Sequence, residues 1–271
     1  MTQAPRLTDR AALMRNRARA SGDLFLHRAA VGEAQDRLAM VNRRFTDTAV
    51  VTGQPKLWAE AFPDARIVGD DDVLTLAPQA HDLVIHAMCL HWADDPVGQL
   101  VQCRRALRPD GLCLAILPGG ETLSDLRTAL SRAEIEVTGG LSPRILPMAD
   151  LRDLGAVLQR AGLALPVADV QSIAAEYRDL RHLMRDLRAM GEANAMADRL
   201  RRPTRRGVFD RAEAICRDMQ ERPVGSLLAR FDLITLTGWA SAESQPKALR
   251  PGSAQTRLAQ ALGTTEKPLS D

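Results

Sequence analysis

The stretch that decides the fold is residues 82–117, DLVIHAMCLHWADDPVGQLVQCRRALRPDGLCLAIL. Its first nine residues, 82–90, are almost continuously apolar, the pattern of a strand buried on both faces of a parallel sheet. His91 and Trp92 follow at once. Residues 96–107 then place apolar side chains at helical spacing, with Pro96 in the first turn, where its missing N–H costs nothing. Arg108, Pro109, Asp110 and Gly111 form a turn, and 112–117 is a second apolar strand. Strand, helix, strand in this order predicts a right-handed crossover in an open, doubly wound α/β sheet.

Working outward, the segment before the decisive stretch repeats the pattern in shortened form. Val31, Ala34, Leu38, Val41 and Phe45 predict an amphipathic helix. Residues 48–52 are a β-branched run ending in Gly53, Gln54 and Pro55. A brief helix over 57–62 and a short strand over 65–68 come next, then Gly69 and the acidic trio Asp70, Asp71 and Asp72. On the other side, Gly119 and Gly120 open a helix over 122–137, which Gly139 and Gly140 break. A helix over 151–161 stops at Gly162, the position where chains turn left-handed. An edge strand over 167–173, helices over 180–190 and 208–219, and a β-rich run over 228–238 that closes the sheet complete the α-rich extension. The organisation expected is an N-terminal helical segment (1–47), a sheet core (48–120), a helical lid returning to the sheet (121–246) and a mobile tail (247–271). No internal repeat is present.

Composition narrows the function classes. The chain has 271 residues, 45% hydrophobic and 26% charged, which excludes disordered and fibrous classes. No apolar run approaches the ~18–20 residues of a membrane span. A net charge of +2 and 3% aromatic residues give no footprint for nucleic acid. Cys89, Cys103, Cys113 and Cys216 match no paired zinc spacing and read as small buried hydrophobes of a reducing compartment. The first thirty residues are Arg-rich but interrupted by Asp9 and Asp23, and carry no apolar signal core. Lys56, Lys247 and Lys267 are the only lysines, so arginine is the default cation here and a single arginine signals little.

Residues 82–117, with their Arg-Pro-Asp-Gly turn, resemble the second half of a class I S-adenosylmethionine-dependent methyltransferase domain. GGETLSDLRTALSRAEIEVTGGLSPRI (119–145), RDLGAVLQRAG (152–162), LMRDLRAMGEAN (183–194) and TGWASAESQPKALRPGSA (237–254) resemble one branch of it, the complex I assembly factor 5 family. The resemblance covers about residues 6–254. It implies modification, by hydroxylation or methylation, of a protein substrate, an iron–sulfur subunit of respiratory complex I. It implies bacterial cytoplasm, near the inner-membrane face, or the mitochondrial matrix in a eukaryote. The malonyl-acyl-carrier-protein O-methyltransferases share the sheet half, so methylation of a carrier-bound or small-molecule carboxylate is one alternative.

The departures from the family define a second alternative, a non-catalytic assembly chaperone. The family binds its cofactor at the carboxyl ends of the strands, with a glycine-rich loop after the first and an acid after the second. Gly53 is the only glycine in that loop, and Pro55 has no N–H to offer. Asp70 lies 17 residues after Gly53, the spacing of the ribose acid, yet also 12 before Asp82, the spacing of a later acid near the adenine. One strand–helix unit is therefore shortened or lost. The implied cofactor contacts are Gly53, Asp70, Asp71 and Trp92, for S-adenosyl-L-methionine; a solvated turn is the plainer reading of the acidic trio. Trp92 packs on the adenine or walls a substrate pocket, and His91 orients a substrate or takes a proton. Glu121, Glu134 and Arg144 are the candidate substrate contacts, the last two by charge-assisted hydrogen bonds; helix-surface charge is the plainer reading of Glu121. No metal is expected, since His86 and His91 with Asp70 make a weak triad. Arg199, Arg201, Arg202, Arg205 and Arg206 form a solvated loop or a docking patch for an acidic partner.

Overall fold

A computed structural model describes residues 6–221, 225–245 and 256–264. Residues 6–241 belong to one compact unit, Met1–Ser241, and a second unit is Ala242–Asp271. In the second, the described residues hold one short helix, Leu258–Ala261. Most of the expected tail, and the 246–254 part of the family-like segment, lie outside the described residues.

The first unit is a three-layer sandwich around a six-stranded sheet of order β2-β1-β3-β4-β6-β5. The strands are β1 (Thr48–Thr52), β2 (Arg66–Val68), β3 (His81–Ala87), β4 (Leu107–Gly119), β5 (Ala164–Tyr177) and β6 (Leu227–Trp239). The first four are parallel, and β6 runs antiparallel to both β4 and β5. β6 is thus inserted between β4 and β5, and β5 forms the edge, as expected of residues 167–173.

Alternation along the strands sorts the core into two layers. Val50, Leu83, Ile85, Leu114 and Ile116 face a cluster with α2 (Phe25–Met40), α5 (Ser124–Thr138), α7 (Leu180–Ala189) and α8 (Arg206–Gln220). Ala49, Val51, Val84, Cys113 and Ala115 face α4 (Pro96–Ala106) and α6 (Leu151–Arg160). All four cysteines are buried thiols.

Three expectations are corrected. The turn expected at residues 108–111 lies inside β4, as an irregularity where pairing with β3 steps from His81–Leu107 to Leu83–Leu112. The helix expected over 31–45 begins at Phe25 and ends at Met40; its buried face is Leu26, His27, Ala30 and Ala34, and Val41 and Phe45 lie beyond it. Its polar side is anchored on the sheet, with Arg37 Nη1 donating to Asp169 Oδ2 at 2.8 Å and Thr235 Oγ1 to Glu33 Oε1 at 3.2 Å. The helix after the Gly-Gly pair starts at Ser124, because Gly120 and Leu123 are left-handed (φ 54° and 53°). Asp232 on β6 fixes that turn by accepting the Glu121 N–H at 2.9 Å, and a Cβ on Gly120 would press on the same carboxylate.

The shortened unit lies between β2 and β3. Helix α3 (Pro55–Ala61) joins β1 to β2, but residues 69–80 return to β3 without helix or strand. The sheet edge beside β1 is therefore one strand of three residues.

Candidate functional site

The carboxyl ends of β1, β2, β3 and β4 lie side by side, since Thr52 pairs with Ala87, Val51 with Val68 and Ala87 with Ile116. Helix α1 (Arg10–Ala18) lies across them, its Ala12 and Leu13 packed in a cluster with Trp92, Leu146, Ala195 and Met196. A main-chain bond from Asp9 N to Ala195 O at 2.8 Å and the Arg199–Asp9 ion pair at 2.9 Å fasten it there. Asp9 also caps the helix, accepting from Ala12 N.

One half of this end is filled by the chain itself. The Asp70 side chain is buried, not solvated, while Asp71 and Asp72 are exposed. Arg17 Nη1 reaches both Asp70 oxygens at 2.8 and 2.9 Å, and Arg10 reaches them at 3.1 and 3.2 Å. Burial works to raise the Asp70 pKa, but the two guanidinium groups outweigh it and hold it down to about 2. Arg10 also touches Asp71 at 3.4 Å. A Cβ on Gly53 would overlap the Arg17 guanidinium, so the space above the lone glycine is taken by that side chain. Gln54 turns its amide to Met190 O at 3.2 Å.

Behind Asp70 a buried network reaches into β3. Gln99 Nε2 donates to the Asp71 carbonyl at 3.2 Å, which leaves its Oε1 to accept from His86 at 2.6 Å. His86 is therefore the Nε2–H tautomer, and burial lowers its pKa to about 4. His86 thus faces Gln99, whereas His91 faces Glu192 at 3.3 Å; the two do not converge on Asp70. Among the described residues no three metal-capable side chains gather.

The other half is an open cavity of about 270 Å³ beyond β3 and β4. Its walls are mostly apolar, with Met88, Leu126, Leu130, Met184, Leu187 and Phe231 among them. His91, Trp92 and Glu192 share one wall. Trp92 Nε1 donates to Glu192 Oε2 at 2.9 Å, and His91 Nε2 lies 3.3 Å from the same oxygen. His27 Nε2 stands 3.9 Å from Glu192 Oε1, and its burial lowers its pKa to about 4, so it is neutral at pH 7. Burial pushes the Glu192 carboxyl up, but the His91 hydrogen bond and the surrounding positive potential hold it below the usual carboxylate range.

Trp92 therefore serves the cavity, its indole N–H spent on Glu192. Arg144 is at the wall, but its charge is committed: Nη2 and Nε bind the Glu134 carboxylate at 2.6 and 2.9 Å. Glu134 also accepts from Ser142 N and Oγ, so the pair fixes the 139–147 segment. Arg144 Nη1 donates onward to Thr204 at 2.8 Å. Glu121 points its side chain to solvent, outside the cavity. Of the basic run, Arg199 and Arg201 pair with Asp9, and Arg202, Arg205 and Arg206 are exposed. Sequence reasoning missed Glu192 and Arg17; the only signal for Glu192 was its place in the MGEAN end of a family-like segment.

A mostly parallel sheet with helices on both faces is the doubly wound α/β architecture expected above. A family model described as a methyltransferase domain matches residues 30–115. This chain has the class I S-adenosylmethionine-dependent methyltransferase fold. It is 34% identical over 198 residues to a Danio rerio protein named Arginine-hydroxylase NDUFAF5, mitochondrial, covering 73% of this chain and 61% of that protein. It is 32% identical over 197 residues to the Malonyl-[acyl-carrier protein] O-methyltransferase of Laribacter hongkongensis (strain HLHK9), covering 73% of this chain and 63% of that protein. The solved YcgJ protein of Bacillus subtilis aligns over 80% of this chain and all of its own, with a TM-score of 0.47 and 12% identity. The chain thus spans about three fifths of the length of these two curated relatives. No helix among the described residues is long and apolar enough to cross a membrane.

This fold places S-adenosylmethionine at the carboxyl ends of its parallel strands. The candidate ribose acid, Asp70, has both oxygens engaged, and the face of Gly53 is covered by Arg17. The residues as arranged do not fit the cofactor.

Proposed function

We propose that this protein receives an arginine side chain of a partner protein in the Glu192 cavity, acting as an assembly protein on the methyltransferase fold. The partner we propose is an iron–sulfur subunit of respiratory complex I. The compartment is the bacterial cytoplasm at the inner-membrane face, or the mitochondrial matrix. The word mitochondrial in the relatives' names supports the second of these.

The observation that carries the reading is Glu192. It is a carboxylate with 13% of its side chain exposed, in a mostly apolar cavity, met among the described residues by the indole N–H and the His91 ring within 3.3 Å. A carboxylate held ionised in an apolar cavity attracts a cation brought into it. A guanidinium supplies that charge in a planar fork, while its alkyl stem lies along apolar walls. The names of the relatives, arginine hydroxylases at 34–38% identity, favour arginine as the side chain. Methylation of a carrier-bound carboxylate is disfavoured, because Glu192 repels an anion and the Arg144 charge is already paired with Glu134. The reading is one of holding: no methyl transfer belongs to it, since the cofactor does not fit.

The test is fluorescence anisotropy with a short labelled peptide carrying one arginine between glycines. Wild-type protein binds it, and the citrulline form, isosteric but neutral, binds about 30-fold more weakly or worse. Glu192→Gln keeps the acceptor for Trp92 and loses the preference. Equal binding of the two peptides by wild-type protein contradicts the reading.

A further inference from the structure

We infer that Arg17, aided by Arg10, is a built-in occupant of the place this fold gives to the cofactor, so that the chain takes no S-adenosylmethionine. The inference stands on the other half of the site and does not depend on what the cavity holds.

An ionised carboxylate has about four acceptor positions. Asp70 receives four contacts, two from Arg17 and two from Arg10, all within 3.2 Å. A ribose diol bound there must displace a charged donor and replace it with neutral hydroxyls. Both sides of the pair are buried, with 6% of the Arg17 side chain and 5% of the Asp70 side chain exposed. Separating them strands two charges in a poorly hydrated place. The methionine end meets a second obstacle. It approaches a glycine loop because glycine has no side chain, and here the Arg17 guanidinium lies against Gly53.

The occupant is held by the rest of the molecule. The α1 backbone at Arg17 packs against Gly191, where an added Cβ would stand 3.1 Å from the Arg17 Cα. Asn16 Nδ2 donates to Ala193 O at 3.0 Å, and Ser21 N to Ala189 O at 2.8 Å. The segment that carries Glu192 thus also clamps the helix that carries Arg17, and one piece of chain shapes both halves. Arg17 Nη2 is buried with no partner among the described residues, an N–H donor group that suits a water or an anion.

The experiment is a thermal-unfolding series on the full chain with S-adenosylmethionine and S-adenosylhomocysteine at about 1 mM. A ligand bound with micromolar affinity raises the midpoint by roughly 10 °C at that excess. The inference predicts no saturable shift from either compound on wild-type protein. A saturable rise, abolished in Asp70→Asn, overturns it. The same assay runs a double-mutant cycle on Arg17→Ala, Asp70→Asn and their combination. Arg17→Ala strands the buried carboxylate and lowers the midpoint by roughly 10 °C. Adding Asp70→Asn recovers part of that loss, and the double variant keeps the comparison measurable where Arg17→Ala folds poorly. Additive losses mean that the pair is not coupled, and overturn the assignment of Arg17 as the occupant.

Discussion

Asp70, His27 and His86 set the acid response, and their signs combine. Asp70 has a folded pKa near 2 against a usual carboxylate value of 3.8. Its depressed value stabilises the fold at pH above the unfolded pKa, and that contribution, about 2 kcal/mol, is lost as pH falls through the folded value. His27 and His86 are buried neutral with folded values near 4 against 6.5. A depressed histidine also favours the fold above its unfolded value. Each removes roughly 3 kcal/mol as pH falls from 6.5 to 4. Urea midpoints are therefore expected to fall steeply below pH 6.5, and His27→Gln flattens the slope. A midpoint constant from pH 7 to pH 4.5 contradicts this placement of the two rings. Asp70 was legible in the sequence because spacing singles it out. Arg17 was not, because it is one arginine in a chain where arginine is the default cation. Glu192 was not because a lone acid beside Gly191 has no local pattern; three separate segments must fold before Trp92, His91 and His27 surround it.

Elements repeat the lesson with different physics. The central strands and α4 were legible because double burial leaves a continuous apolar run that only a few arrangements satisfy. The helix at 25–40 was misplaced because its inner face is built on small residues, Ala30 and Ala34, beside a buried His27, which large-apolar spacing does not detect. The insertion of β6 between β4 and β5 depends on pairing across more than a hundred residues, as with Leu112 and Trp239, and no local signal carries that. The Glu134–Arg144 pair was noticed as a candidate substrate clamp, and its geometry ties the 139–147 segment to α5. Glu134→Ala is accordingly expected to cost about 2 kcal/mol, allowing for the partial exposure of Arg144. It also speeds amide exchange at 139–147 selectively. Unchanged exchange there, with the stability loss spread elsewhere, contradicts the clamp.

Over the whole first unit, the carboxyl ends of the parallel strands divide into two halves with opposite fates. Above β1 and β2, the lost strand–helix unit and the lone glycine leave a place that Arg17 and Arg10 close. Above β3 and β4, the lid built from α5, α7 and the 139–147 segment leaves an apolar cavity with one carboxylate in it. The family architecture supplies both places, and only the second remains open to a ligand. The most direct measurement is calorimetric titration of wild-type protein with two ligands in turn, S-adenosylmethionine and a peptide bearing a single arginine. Heat of binding is expected from the peptide, lost in Glu192→Gln, and none from S-adenosylmethionine. Binding of S-adenosylmethionine with no response to the peptide contradicts it.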